Sequence, residues 1–404
     1  MNLFKTVSLE KAIPLFRIAM TFKMLMFILP VIVIIYQYKG LSVGDFFLIQ
    51  GLFAIAVFFL EIPTGYIGDL FSRKKVMVLA FFTYFLGYII LFCFKGFWCV
   101  FAAELLFGVC IALNSGTSDA YVYDVLKKQG REKNFLKELG KIRSYGSFGT
   151  MIATFVGGVI YNTLGPNYTI FVELMAVFFA FVLILFLPEL NDVQRIVENG
   201  KSKVQDILEI VKFAIHHAEI KWLMLFPAAF GSATMIILWV QQPIMKDNLI
   251  PVAFFGFFVG MNQLFRALFS MFSPKLFRKL KTTNFVLILF AVLLIGLLSA
   301  IILPSVSNLY INYVMLLILS FVAASHAGLS IVISSMINHR IKSDERATVL
   351  SVRSMFSKFM GAIVMISLKF LIDGMGIQYM LMIMTPIILG LTFISMKKIL
   401  KLKI

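Results

Sequence analysis

Residues 61–75 read EIPTGYIGDLFSRKK. This stretch closes a long apolar run, and three consecutive basic residues follow its single aspartate. An apolar run of about 20 residues is long enough to cross a bilayer as a helix, and a cluster of charges marks the point where the chain leaves the lipid. The sequence therefore predicts a membrane-spanning helix over residues 44–67, followed by a short charged loop.

The composition extends this prediction to the whole chain. Of 404 residues, 60% are hydrophobic, 14% are charged and 44 are Phe. A water-soluble domain of this length could not bury so much apolar surface in one core, so much of it must face lipid. Apolar runs bounded by charges or turn residues predict twelve membrane-spanning helices, at 14–36, 44–67, 76–94, 98–123, 142–162, 168–187, 221–244, 251–272, 285–303, 309–336, 348–372 and 376–396. The fold class is therefore an all-α membrane protein.

The basic residues alternate between the two sides of the predicted bundle. Lys and Arg number three, seven, five, four and three in the connections 68–75, 124–143, 188–221, 273–284 and 338–347, and the opposite connections hold only Lys39, Lys95 and Lys246. This is the positive-inside asymmetry. It predicts an inner-membrane protein with both termini in the cytoplasm. The net charge of +17 is thus a topology signal, and we expect no nucleic-acid partner.

Several classes of site are missing from the sequence. It contains neither a G-x-x-x-x-G-K-[ST] phosphate loop nor an H-E-x-x-H zinc motif, so we expect no enzyme activity, cofactor or metal. His216 and His217 stand side by side in a polar linker, which is typical of solvated residues. Cys93 and Cys99 flank an outer hairpin and could pair, although free thiols are the preferred interpretation.

One long connection divides the chain. Residues 188–220 are polar at first and then follow a helical apolar spacing, which predicts a cytoplasmic linker with an amphipathic helix. The linker separates an N-terminal bundle of six helices, residues 1–187, from a C-terminal bundle of six, residues 221–404. Arg143-Ser144 and Arg353-Ser354 recur 210 residues apart, and each following helix leads to a Gly-containing outer turn, as expected for an internal repeat.

The stretch 61–75 resembles the cytoplasmic loop signature of the major facilitator superfamily. Gly65, Asp69, Arg73 and Lys74 match that signature, whereas Leu70 and Ser72 depart from it. The resemblance implies two six-helix bundles that work by alternating access. It also implies that the cluster locks the cytoplasmic side, and we expect Asp124, at the cytoplasmic end of the fourth predicted helix, to be a partner of Arg73. A solvated basic loop would explain Arg73 to Lys75 but not Gly65 and Asp69.

Two further patterns support the same resemblance. The fifth predicted helix resembles the glycine motif of the family's antiporters at Gly140, Gly149, Gly157 and Gly158, with Ala153 and Thr154 in place of the usual Gly-Pro. Small residues in register also permit close helix packing, so packing alone is the alternative reading. The glycine pattern favours export. The run SGTSDAYVYD, residues 115–124 of the fourth predicted helix, and the stretch DERATVLSVRSM, residues 344–355, resemble a bacterial drug:proton antiporter-like subgroup. Glu104 stands where many drug exporters have an Arg.

Ionisable residues at bilayer depth are the candidates for the transport site, because each costs about 2.5–3.5 kcal/mol at the helix centre and should avoid lipid. In the family fold, the first, fourth, seventh and tenth helices line the cavity. Lys23, Glu104 and Asp119 therefore rank highest for proton coupling or substrate binding. Further candidates, in the seventh, eighth and tenth helices, are Gln241, Gln242, Arg266 and His326.

These observations lead to one function and two alternatives. We expect proton-coupled efflux of a small organic compound, such as a drug-like molecule or a siderophore, by a monomer in the lipid bilayer. Burial disfavours the charged form of Glu104, which would let it take up and release a proton. A nutrient importer of the same fold is the first alternative, and a membrane sensor or enzyme is the second. The many aromatic residues suit an amphipathic or cationic solute.

Overall fold

The computed structural model describes residues 6–190, 218–338 and 346–401. Within these ranges the chain is helical, without a β-strand. The α-helices are α1 Leu9–Lys23, α2 Ile32–Tyr38, α3 Val43–Leu70, α4 Arg73–Cys93, α5 Phe97–Asn114, α6 Thr117–Lys128, α7 Phe135–Leu164, α8 Pro166–Leu185, α9 Ala218–Asp247, α10 Phe255–Ile302, α11 Leu309–Asn338, α12 Arg346–Met375 and α13 Ile377–Leu400. Most of the predicted amphipathic linker, 191–217, lies outside the described residues.

The predicted all-α membrane fold is confirmed. In the described part of the chain, eleven helical segments are long and apolar enough to cross a membrane. A shorter apolar segment, Leu29–Tyr38, belongs to the first predicted helix. The long helix α10 supplies two of the eleven segments, Val252–Leu280 and Thr282–Ser305.

The first predicted helix, 14–36, is not continuous. Helix α1 ends at Lys23, residues 24–28 are irregular, and a short 3-10 turn, Leu29–Val31, leads into α2. Pro30 explains the interruption, because proline has no N–H and its ring clashes with the carbonyl four residues earlier. Since α1 and α2 are each too short to span a bilayer, at about 1.5 Å per residue, the two together form the first crossing.

Two other boundaries differ from the sequence-based prediction. The fourth predicted helix, 98–123, is divided into α5 and α6 at Gly116, whose φ of 76° suits glycine. In contrast, 251–272 and 285–303 lie on the single helix α10, and the basic loop predicted between them is helical. The helix continues through Pro274, and the segment 275–295 that follows contains neither Gly nor Pro to end it.

The described helices form two compact units. Unit 1 lies within Met1–Leu41 and Ala56–Gly200, and unit 2 lies within Ser42–Ile55 and Lys201–Ile404. In unit 1, α4 packs on α5 and α8, and α1 packs on α7 and α8. In unit 2, α11 packs along α10 and α9. The division of the sequence into 1–187, 188–220 and 221–404 stays a prediction.

The first half of α3 belongs to unit 2, which the sequence-based boundaries did not anticipate. The Lys369 ammonium of α12 lies 2.6 Å from a carboxylate oxygen of Asp45 and 2.9 Å from one of Asp373. Next to this ion cluster, the rings of Phe46 and Trp239 meet edge to face with centroids 5.3 Å apart. These contacts hold residues 42–55 against α12 and α9.

The repeat predicted from the sequence has a structural counterpart in two turns. Gly165 joins α7 to α8 with a φ of 89°, and Gly376 joins α12 to α13 with a φ of 84°. Side chains other than glycine avoid this left-handed region. Both turns therefore need glycine at equivalent places, one at the end of each predicted repeat.

Candidate functional site

The interruption of the first crossing exposes backbone groups in the interior of unit 1. The Ile28 N–H donates to Oε2 of Glu173 at 3.1 Å, and Glu173, on α8, is fully buried. On the other side of the break, the Thr150 hydroxyl of α7 donates to the Met24 carbonyl at 2.6 Å. Side chains from α7 and α8 therefore satisfy groups that a continuous helix would have paired internally.

The glycines of α7 allow this close approach. A methyl group at Gly149 would come within 3.3 Å of the Leu25 and Thr21 side chains, and one at Gly157 would overlap the Phe27 carbonyl. Gly158 is also buried, whereas Gly140 has open space beside it. Two of the four motif glycines thus line the interrupted segment, and packing against that segment accounts for them. Their role in export stays a prediction.

Glu104 lies in the same interior. It is buried, with 4% of its surface exposed, and it accepts a hydrogen bond from the Tyr36 hydroxyl of α2. Two more tyrosines of α4 lie beside it, with the hydroxyls of Tyr84 and Tyr88 3.5 Å apart. The carboxylates of Glu104 and Glu173 are both within electrostatic range of the Tyr84 hydroxyl. We call Tyr36, Tyr84, Tyr88, Glu104 and Glu173 the carboxylate–tyrosine cluster.

The second oxygen of Glu173 has an unusual environment. Oε1 is buried and makes no hydrogen bond, although the Tyr88 hydroxyl lies close to the carboxylate. A buried oxygen without a donor is costly for a carboxylate. A proton on this oxygen would lower that cost.

Lys23 ends α1 next to the cluster. Its ammonium lies 5.1 Å from the ring centroid of Phe81 and 5.7 Å from that of Tyr84, which are cation–π distances. It forms no ion pair within the described residues. Lys23 is thus held by aromatic rings at the point where the helix breaks.

The chemistry of the cluster is that of proton exchange. Two carboxylates and three phenols are acids and bases with exchangeable protons, and burial makes their charged forms costly. Among the described residues, no group of three His, Cys, Asp or Glu side chains could hold a metal ion. The cluster therefore places groups with exchangeable protons next to the interrupted segment, and Glu173 contacts its backbone at residue 28.

Two residues of the predicted cytoplasmic lock form an ion pair. The Nε atom of Arg73 lies 2.7 Å from Oδ2 of Asp124, and both side chains are about one quarter exposed, at 23% and 25%. Lys74 is half-buried. The surroundings of Gly65 and the side chain of Asp69 lie outside the described part of the structure, so the role of these two residues stays a prediction.

Ser72, which departs from the family signature, makes a contact of its own. Its hydroxyl donates to Glu189 at 2.7 Å, and the Lys75 ammonium lies 3.4 Å from the same carboxylate. The Ser72 hydrogen bond, reinforced by Lys75, holds the pKa of Glu189 below its ordinary value of 4.5. The Tyr121 hydroxyl donates to the Pro188 carbonyl at 3.0 Å, so the chain leaving α8 is fixed at two points.

Asp119 is not in the carboxylate–tyrosine cluster. It lies in the first turn of α6, where Arg143 of α7 donates to its carboxylate at 3.0 Å. Both side chains are largely exposed, at 44% and 69%. The structure thus places Asp119 in an exposed ion pair, which separates it from Glu104 although both rank equally in sequence.

The remaining predicted residues lie in unit 2. Gln241 is buried and donates to the Leu316 carbonyl and the Ser320 hydroxyl, each at 3.0 Å, which joins α9 to α11. Gln242 is buried beside it. The His326 imidazole of α11 is half-buried, and Arg266 of α10 is exposed. The structure brings Arg266 and His326 within electrostatic range of each other, whereas Gln241 serves helix packing.

The residues ranked highest from the sequence include neither the tyrosines nor Glu173. A signal was available for part of the set, because Tyr84 and Tyr88 are four residues apart and so share a helix face in an apolar run. Nothing in the spacing links Tyr36 to Glu104, which are 68 residues apart. That contact depends on the path of the chain after the break, which brings Tyr36 of α2 next to Glu104 of α5.

The comparisons with known proteins agree with this fold. The sequence profile of the Major Facilitator Superfamily matches residues 15–365. An uncharacterized transporter of Buchnera aphidicola subsp. Acyrthosiphon pisum is 29% identical over 125 residues, which is 30% of this chain and 30% of the relative's length.

Solved structures are similar over nearly the whole chain. The nucleoside transporter NupG has a TM-score of 0.80 at 15% identity and covers 98% of this chain and 100% of its own. A bacterial homologue of the iron transporter ferroportin has a TM-score of 0.72 at 16% identity, with 98% and 99% covered. A POT family transporter in complex with 5-aminolevulinic acid has a TM-score of 0.67 at 13% identity, with 96% of each chain covered.

At these identities the structures support the fold alone, and their cargoes differ. The profile match covers most of the chain and agrees with the helical architecture and the apolar spans. The chain belongs to the major facilitator superfamily and is a multi-pass membrane transporter rather than an enzyme.

Proposed function

We propose that this chain is a proton-coupled secondary transporter that exports a small organic compound by alternating access. The observation that carries the proposal is the buried carboxylate–tyrosine cluster at the interrupted first crossing. In transporters, interrupted helices accompany ion and substrate sites, because unwound backbone is tolerated in a membrane only where it is buried or lines a cavity.

Glu104 is the proposed proton carrier. Its carboxylate is buried, and the Tyr36 hydroxyl donates to it from the helix that follows the break. When Glu104 is ionised, this hydrogen bond is charge-assisted and strong; when a proton binds, the bond weakens. Protonation would therefore change how firmly α2 is held to α5.

Glu173 is the proposed partner in this step. Its carboxylate accepts from the Ile28 N–H, and its Oε1 atom is buried without a hydrogen bond. The two glutamates thus accept hydrogen bonds from the two ends of one segment, residues 28–36. Loss of charge at either one would loosen that segment, which is the kind of local change that can bias two conformations separated by a few kcal/mol.

The other elements of the proposal rest on sequence signals. The Arg73–Asp124 pair, together with Asp69, is the proposed cytoplasmic lock. The glycine pattern of α7 supports export over nutrient import, which is the alternative with the same fold. The loop charges support an inner-membrane protein with cytoplasmic termini. The proposal includes a monomer and no cofactor.

Reconstituted protein tests the coupling. We expect Glu104→Gln to abolish solute movement driven by a proton gradient while solute exchange, which needs no net proton transfer, continues. Asp119→Asn is the control, since Asp119 lies in an exposed ion pair. Equal gradient-driven flux in wild type and Glu104→Gln would overturn the role of Glu104, and net flux into inside-out vesicles would support export.

A further inference from the structure

We propose that unit 2 contains a binding site for an organic anion, formed by Arg266, Arg353 and His326. The proposal rests on the proposed transport function and names the chemical class of its substrate. The anion carries a carboxylate or phosphate group that the two guanidinium groups bind.

Arg266 lies on the face of α10 that packs against α11. At about 100° per residue, the residues of α10 that contact α11 flank it: Asn262 donates to the Ser320 carbonyl at 2.9 Å, and Ser273 packs against Gly328. Four exposed apolar side chains of α10 lie on the opposite side of the helix, Phe257, Leu264, Leu268 and Met271. The Arg266 side chain is itself exposed.

Arg353 is held in place on α12. Its Nη1 donates to the Ser330 carbonyl at 3.2 Å, and its Nη2 lies 3.3 Å from the Ser330 hydroxyl. A guanidinium has five N–H donors, so three remain for a ligand. The planar arrangement of these donors matches the two oxygens of a carboxylate or phosphate.

His326 lies on α11, which both arginines approach. Both guanidinium groups are within electrostatic range of its imidazole. The ring stacks on Phe230 with centroids 6.5 Å apart, and a methyl group at Gly231 would come within 2.8 Å of its Nε2 atom. Ser330, which fixes Arg353, is one helical turn from His326 on the same face of α11. The two arginines are thus near the same stretch of α11.

The described residues supply no carboxylate partner for either arginine of this cluster. Within the described part of the chain, neither Arg266 nor Arg353 forms an ion pair with a carboxylate. The acids described in unit 2 stand near helix ends and are Asp45, Glu219, Asp247 and Asp373. Two uncompensated cations at membrane depth are costly, and a bound anion would remove that cost. This charge pattern favours an anionic solute over the cationic one suggested by the aromatic content.

Ligand binding to purified full-length protein in detergent tests the site. The probes are benzoate, phthalate, phenyl phosphate and citrate, with benzamide and phthalamide as uncharged counterparts, and the measurements are thermal shift and titration calorimetry. We expect at least one anion to bind and its uncharged counterpart not to. Arg266→Gln and Arg353→Gln should each weaken binding by about 10- to 100-fold, because each removes charge-assisted hydrogen bonds.

Two further variants guard the interpretation. Arg278→Gln changes an exposed arginine on the same helix as Arg266 and should bind as wild type does. Arg266→Lys keeps the charge but loses the planar donors, so it should fall between wild type and Arg266→Gln even if the glutamine variant fails to fold.

The proposal is overturned if no anion binds better than its uncharged counterpart, or if the arginine variants bind as wild type does. Binding in detergent needs no proton gradient, so the two proposals can fail separately. Anion binding without gradient-driven flux would contradict proton coupling and support the anion site. Gradient-driven flux of a neutral or cationic solute without anion binding would contradict the anion site and support proton coupling.

Discussion

The hydrogen bond from the Ile28 N–H to Glu173 predicts a measurable weakness when the carboxylate is removed. In Glu173→Leu, this buried N–H loses its 3.1 Å acceptor. An unsatisfied buried N–H costs about 1–3 kcal/mol, and the added apolar surface of Leu offsets part of it. We expect a net cost of about 1–2 kcal/mol, concentrated at residues 24–31. Glu173→Gln keeps an acceptor oxygen and should cost less than about 1 kcal/mol.

Hydrogen–deuterium exchange measures this cost where it arises. A loss of about 1–2 kcal/mol increases the open population of a segment by about 5- to 30-fold. Amides of residues 24–31 should therefore exchange about tenfold faster in Glu173→Leu than in wild type, while Glu173→Gln stays near wild type. Exchange in unit 2, for example in α11, serves as the internal control. Unchanged exchange at 24–31 in Glu173→Leu would refute the view that Glu173 holds the interrupted segment.

Three further predictions follow from other contacts. Gly157→Ala should lower the free energy of unfolding by about 1–3 kcal/mol, because the added methyl group overlaps the Phe27 backbone. Gly140→Ala has open space beside it and should leave thermal unfolding unchanged. Equal effects of the two substitutions would contradict the packing account. Asp124→Asn removes a partly exposed ion pair worth up to about 1 kcal/mol, so transport should fall about two- to fivefold with normal membrane levels, and full activity would remove the lock. Ser72→Ala should destabilise the protein above pH 4.5, because there the lowered pKa of Glu189 contributes to the stability of the fold. The difference in stability between wild type and variant should disappear as pH falls through that lowered pKa. A difference that persists in acid would show that it does not arise from Glu189.

The membrane-spanning helices could be predicted because every crossing must be apolar over the thickness of the bilayer. Apolar length and loop charge identified the spans, and turn glycines such as Gly165 and Gly376 marked the repeat. The predicted helix boundaries were wrong where local residues, and not hydropathy, decided where a helix ends. Pro30 interrupted an apolar run that hydropathy reads as continuous, and the charges near Arg278 proved to be part of a helix.

The site was harder to predict because burial of polar residues depends on contacts distant in sequence. Glu104 could be selected as an acid in an apolar run, but its partner Tyr36 could not. Asp119 had the same sequence rank as Glu104, and an arginine 24 residues away made the difference. Glu173 acquires its role from a backbone break that it helps to stabilise, and no spacing in the sequence indicates such a contact.

Proton movement in inside-out membrane vesicles tests the central claim most directly. Vesicles containing the protein are energised to an acidic interior, a pH-sensitive dye reports the gradient, and a solute panel of organic anions, nucleosides, small peptides and organic cations is added. The account predicts that at least one solute dissipates the gradient in wild-type vesicles and that Glu104→Gln vesicles, with equal protein content, do not respond to it. A gradient that no solute dissipates, or an equal response in Glu104→Gln, would contradict proton coupling through Glu104.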